Sequence, residues 1–138
     1  MIRVIAISVF RLGNKILVAE GVDPSNSERF YRPLGGEVEF GERAADALRR
    51  EILEELNLTI EHPTLLGVLE NHFTYNGKAS HEIVFVFDAG FSDTSVYERD
   101  ELPIVEAVWS GPATWKDLAE LRRGSHPVYP EGLIDLLG

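Results

Sequence analysis

Glu51, Glu54 and Glu55 are spaced so that a helix carrying them would set three carboxylates within an arc of about 100°. Like charges this close repel by a few tenths of a kcal/mol per pair, and no lysine is interspersed among them. A hard divalent cation relieves that repulsion. Mg²⁺ prefers oxygen ligands and keeps several of its waters, with Mn²⁺ as a substitute. Arg50, directly before Glu51, is placed to orient one carboxylate through a bidentate contact. Taken alone, an acidic helix face is usually just solvated surface, so the surroundings must decide.

The element that would hold these groups runs from Gly41 to Leu56, the one long helical pattern before the C-terminal third. Ala45, Leu48, Ile52 and Leu56 form an apolar stripe beside the carboxylates that can face a sheet. Ala44 and Ala47 leave room on the carboxylate side for a loop or ligand. Upstream, Arg29 to Leu34 reads as extended, since Pro33 forces Arg32 out of helical geometry.

The rest of the chain supplies strands. Ile2 to Phe10 and Lys15 to Ala19 flank Leu12-Gly13-Asn14 and read as a hairpin. Gly21 to Ser27 reads as an exposed loop. Leu58-Thr59-Ile60 is a short strand, and Leu65 to Tyr75 with Ser80 to Phe91 form a second hairpin turning at Asn76-Gly77. Ile104 to Trp109 is a further strand, Thr114 to Leu121 has helical spacing that Gly124 would end, and Glu131 to Leu137 reads as a terminal helix. Strands with two or three helices between and after them imply an α/β fold with a mixed sheet covered on both faces.

A chain of 138 residues suits one compact domain, 1–138, able to bury a core without staples. With no cysteine, thiolate metal sites and cysteine nucleophiles are excluded, and a reducing cytoplasm is the compatible compartment. A net charge of −10 argues against binding nucleic-acid backbones. A phosphate substrate is still open if metal ions invert the local field. No apolar run approaches the roughly 20 residues needed to span a bilayer, and the N-terminus lacks the basic region of a signal peptide. A homodimer is compatible with these features and not required by them.

Around the carboxylates the pattern is Gly36, five residues, Glu42, seven residues, then Arg50-Glu51-Ile52-Leu53-Glu54-Glu55-Leu56-Asn57-Leu58. With average residue usage, such a set recurs by chance on the order of once in 10⁵ chains or fewer. It resembles the Nudix box, and Tyr31-Arg32-Pro33-Leu34-Gly35-Gly36 resembles the family's lead-in. The family fold is an α/β/α sandwich of about this length. Asn57 stands where the family has glycine. That position closes the helix, where a left-handed residue is needed and asparagine is the usual second choice.

The resemblance implies a Mg²⁺-dependent hydrolase of a phosphoanhydride bond in a nucleoside diphosphate linked to another moiety. It implies that Glu54 and Glu55 bind the metal, that Glu51 binds metal or orients water, and that Gly35 offers its carbonyl. Gly36 would give the loop a tight turn, and Glu42 would brace the loop or cap the helix. A distal carboxylate often completes the site in relatives. Here Glu101 is favoured among Glu98, Asp100 and Glu101, with Glu82 and Glu51 as alternatives; Glu82 lies in an apolar strand and would point to solvent at its end. Arg32 and Arg29 are candidates to grip phosphate, and Tyr31, Phe30, Phe73 and Tyr75 to stack a base, although strand aromatics are usually core. His62, His72, His81 and His126 show no metal-ligand spacing and read as surface or hydrogen-bonded residues. Two other functions fit less well. An RNA 5′-end pyrophosphohydrolase would need a basic track, and a nucleotide sensor without activity would have no need of its carboxylates.

Overall fold

The computed structural model describes residues 1–105 and 111–138. The element order is β1 (Ile2–Val9), β2 (Arg11–Leu12), β3 (Lys15–Val22), β4 (Arg29–Arg32), β5 (Leu34–Glu37), α1 (Ala44–Leu56), β6 (Ile60–Tyr75) and β7 (Lys78–Phe91). A 3₁₀ turn (Thr94–Glu98), β8 (Glu101–Leu102), β9 (Ala113–Asp117), α2 (Leu118–Arg123) and α3 (Leu133–Leu136) follow.

One sheet has the order β5-β1-β7-β6. Its β1–β7 pairing is parallel and the other two are antiparallel, so the sheet is mixed. The second sheet runs β2-β3-β9-β8, with β4 also pairing with β3. Period-2 alternation divides the interior between two faces. Ala6, Leu17 and Phe87 pack with Leu48, Ile52 and Leu56 of α1. Ile5, Ile7, Val84 and Val86 pack on the opposite face with Leu121 of α2 and Leu133 of α3. This is the expected α/β/α layering. Leu48 and Ile52 are fully buried, and each such side chain contributes about 1.5–3 kcal/mol. The apolar stripe therefore fixes which way the carboxylate face of α1 looks.

Several elements lie elsewhere than local patterning alone suggests. The first hairpin is formed by β2 and β3, with Gly13 at positive φ in its turn. β1 instead leaves for the other sheet, because its residues on both faces are needed between β5 and β7. Gly21 and Val22 continue β3 against Phe30 and Arg29, and Asp23 is buried rather than part of an exposed loop. Leu58 and Thr59 lie outside strands, and Ile60 begins one long β6 whose bulges fall between Glu61 and Thr64 and between Leu65 and Gly67. Thr114 to Asp117 is strand. The helix begins only at Leu118, where the Asp117 carboxylate accepts the Ala119 and Glu120 N–H groups and caps it. Most of the strand expected from Ile104 to Trp109 lies outside the described residues; Ile104 and Val105 are not in a strand. The second hairpin turns at Asn76-Gly77, both at positive φ as a tight two-residue turn requires.

Candidate active site

α1 begins at Ala44, later than the periodicity suggested, because Gly41 takes φ 89° and Arg43 is extended. Glu42 thus lies in the turn before the helix and braces it without capping it. Its carboxylate accepts the Glu39 N–H at 3.0 Å and two bonds from Arg50, Nε at 2.8 Å and Nη2 at 2.9 Å. The Arg50 bonds, then the Glu39 amide, hold the Glu42 carboxyl down at about 2. Arg50 reaches further: Nη2 donates to the Glu37 carbonyl at 3.0 Å, and Nη1 to Glu51 at 2.9 Å and Glu54 at 3.4 Å. Its bonds to Glu42 come first in holding the guanidinium charged. One arginine therefore ties the loop, β5 and the carboxylate face of the helix together.

Gly36 is paired with Ala6 inside β5 and makes no turn. Its role is close approach: a β-carbon there would lie 2.3 Å from the Glu51 carboxyl carbon. Gly35 takes φ 151°, and a β-carbon would meet the Ala6 carbonyl oxygen at 2.0 Å. The Val38 N–H bonds the Val4 carbonyl at 2.8 Å, which sets the phase of the antiparallel ladder. That phase turns the Gly35 carbonyl away from β1, toward the edge where Arg50 holds the Glu37 carbonyl.

Glu55 is buried and Glu54 exposed. The Val105 N–H donates to the Glu55 carbonyl at 2.9 Å, docking the segment after β8 onto α1. Asn57 closes the helix at φ 57°, ψ 39°, with its N–H on the Leu53 carbonyl at 2.9 Å, the left-handed cap expected in place of glycine. Among the described residues no three His, Asp or Glu side chains converge as a ready metal cage. A hard cation that keeps its waters needs only one or two carboxylates. The all-oxygen donors at Glu51, Glu54, Glu55 and the Gly35 carbonyl, with the Glu51 carboxylate lying over Gly36, fit one.

Beside Gly35 and Gly36 opens a cleft of about 380 Å³. Arg32 and Glu82 lie in its wall, and Glu82 is buried rather than turned to solvent. Its Oε1 accepts from Arg32 Nη2 at 2.9 Å and from Asn71 Nδ2 at 3.5 Å, while Arg3 lies 3.7 Å from Oε2. Asn71 in turn accepts the Glu131 N–H at 3.3 Å, tying the cleft wall to the C-terminal segment. Phe30, Phe73 and Tyr75 all line the cleft, and so does Tyr129, which sequence reasoning passed over. Tyr129 lies in the segment before α3, where no local pattern signals a site.

Other expected contacts are not made. Tyr31 and Arg29 alternate with Phe30 and Arg32 and face away from the cleft. The Tyr31 ring meets His126 and Lys116, and Arg29 pairs with Glu20. Glu101 is exposed at the start of β8, opposite Thr114, and is not in the cleft lining. His72 and His81 are cross-strand neighbours with ring centroids 4.0 Å apart, and His81 Nε2 is buried with no hydrogen-bond partner among the described residues.

The chain as a whole is similar to known proteins. The family model of the NUDIX domain matches residues 1–131. A MutT NUDIX hydrolase from Burkholderia pseudomallei superposes with a TM-score of 0.73 at 27% identity, covering 99% of this chain and 97% of its own. A NUDIX hydrolase from Nitrosomonas europaea gives 0.66 at 20% identity, covering 99% and 86%. A NUDIX-family hydrolase from Clostridium perfringens gives 0.65 at 15%, covering 99% and 98%; these last two speak to the fold alone. With 131 residues matched by the family model, the chain is an enzyme that belongs to the Nudix hydrolase family.

Proposed function

We propose that this Nudix hydrolase cleaves, with Mg²⁺, the phosphoanhydride bond of a nucleoside diphosphate linked to another moiety: a nucleoside triphosphate, a nucleotide sugar or a dinucleoside polyphosphate. The observation that carries this reading is the approach of the Glu51 carboxylate to Gly36, a residue of the cleft lining, which brings one carboxylate of α1 beside the cleft. Glu51, Glu54, Glu55 and the Gly35 carbonyl would hold the ion, or Mn²⁺ in its place. When bound, the metal neutralises the diphosphate and favours the attack of water on phosphorus.

The protein's own groups do the rest. Arg50 fixes the Glu51 rotamer, so the carboxylate is preorganised to accept a proton from water or orient it. Arg32, held by Glu82, presents a guanidinium to phosphate oxygens in the cleft. Glu101 is the distal alternative as base. The whole chain, 1–138, would work as one unit in the cytoplasm, on small molecules rather than nucleic acid. No helix of the described residues is long and apolar enough to cross a membrane.

The test is a phosphate-release screen over nucleoside diphosphate derivatives with Mg²⁺, repeated in EDTA. Metal-dependent turnover of at least one compound supports the reading. No turnover of any compound at millimolar substrate and metal would refute it.

A further inference from the structure

The cleft changes character along its length. On β4, Arg32 and Phe30 share one face, with Glu28 just beyond; on β6, Phe73 and Tyr75 share the facing surface. Arg32 marks the end near Gly35, and the rings mark the other. Tyr129 lies between strands, its ring 5.6 Å from Phe30 and 5.8 Å from Phe73, while Phe30 meets Tyr75 edge-on at 6.1 Å. Phe30 rests directly on Gly21, where a β-carbon would come within 2.4 Å of the ring, so backbone supports it from behind.

Carboxylates accompany the rings. Asp23, whose carboxylate accepts the Asn76 N–H next to Tyr75, and Glu28, two positions before Phe30, also line the cleft. The Tyr129 phenol is pushed up by burial and then by the charges of Glu28, Asp23 and Glu131, which reports a negative field at the rings. The guanidinium groups in the lining, Arg3 and Arg32, are engaged at the other end by Glu37 and Glu82. Aromatic faces carry negative quadrupole charge, and carboxylates beside them add to it. An uncharged base would stack on these rings but gain nothing from the acids, and an anion would be repelled.

We propose that this end of the cleft binds an organic cation, a delocalised or quaternary nitrogen centre at the far end of the diphosphate substrate, through Phe30, Phe73, Tyr75 and Tyr129 with Asp23 and Glu28. The link to a diphosphate rests on the hydrolase reading; the cation site rests on the rings and acids themselves.

The experiment separates the two. Isothermal titration calorimetry in EDTA, where no hydrolysis occurs, compares oxidised with reduced nicotinamide mononucleotide, which differ by a hydride and one unit of ring charge. The oxidised form should bind about three- to thirty-fold more tightly. Glu28→Gln, which keeps shape and removes charge, should narrow that ratio, and Tyr129→Leu should narrow it by another route. Equal affinities, tighter binding of the neutral form, or no binding of the oxidised form would overturn the proposal. If diphosphates are hydrolysed with Mg²⁺ all the same, the hydrolase reading survives that result. Charge discrimination without any hydrolysis would keep the cation site and remove its diphosphate.

Discussion

The Glu51 carboxyl carbon would lie 2.3 Å from a β-carbon at Gly36, so the glycine is what lets the carboxylate reach the floor of the cleft. Gly36→Ala must displace the end of a flexible side chain, not backbone. The fold should lose little, while Glu51 moves by an ångström or more. We expect a drop in kcat of about ten- to a hundredfold, a higher Mg²⁺ requirement, and a Tm near that of the parent. Metal titrations of activity beside thermal melts check it; unchanged kcat would show that the Glu51 position is immaterial.

Glu54→Gln and Glu55→Gln should each lower turnover by at least about a hundredfold, since lost metal positioning removes several kcal/mol of transition-state stabilisation. Circular dichroism should be unchanged, because α1 is held by its buried stripe and its cap. Near-parent activity in both at modest Mg²⁺ would remove the metal assignment.

Glu51→Gln and Glu101→Gln distinguish the two candidate bases. Glu51 adjoins the cleft floor through Gly36, whereas Glu101 is exposed on β8 and outside the cleft lining. Glu51→Gln should flatten the acid limb of the pH–rate profile with a large fall in kcat, and Glu101→Gln should stay within about a factor of three. The reverse pattern would assign the base to β8.

Glu42 predicts a pH dependence of stability. Its carboxyl is lowered from 4.5 to about 2 by Arg50 and the Glu39 amide, so the unfolded state binds the proton more readily. The stabilisation is complete above about pH 5 and is lost as pH falls from 4.5 toward 2. Glu42→Gln should melt below the parent at pH 7, and the gap should close across that acid window. A gap as wide at pH 2.5 as at pH 7 would point to a loss of packing instead.

Asn57 at φ 57° makes a third kind of test. Asn57→Gly removes steric cost but loosens the unfolded chain, so urea melts should shift by only about 0 to +1 kcal/mol. Asn57→Val should be clearly less stable, because a β-branched side chain resists positive φ. Val as stable as Asn would contradict the cap.

The carboxylate helix and its asparagine cap were legible because both depend on short spacing: periodicity fixes the arc, and the position after the stripe fixes the cap. The cleft was not. Alternation along β4 separates Phe30 and Arg32 from Tyr31 and Arg29, but which pair faces the cleft depends on pairing with β3 and on the docking of residues 127–129. Glu82 looks misplaced in an apolar strand until Arg32, 50 positions earlier, is seen beside it. Tyr129 reaches Phe30 and Phe73 only through tertiary folding. Bulges in β6 shift register midway, so no single period runs through the strand.

Asp23 Oδ1 accepts three hydrogen bonds, from the Ser25 N–H at 2.9 Å, the Ser25 hydroxyl at 2.8 Å and the Asn76 N–H at 3.0 Å. Two turns 53 positions apart are thereby pinned on one oxygen. At this side of the cleft the two turns are coupled through a single buried carboxylate, so a change in one is felt by the other.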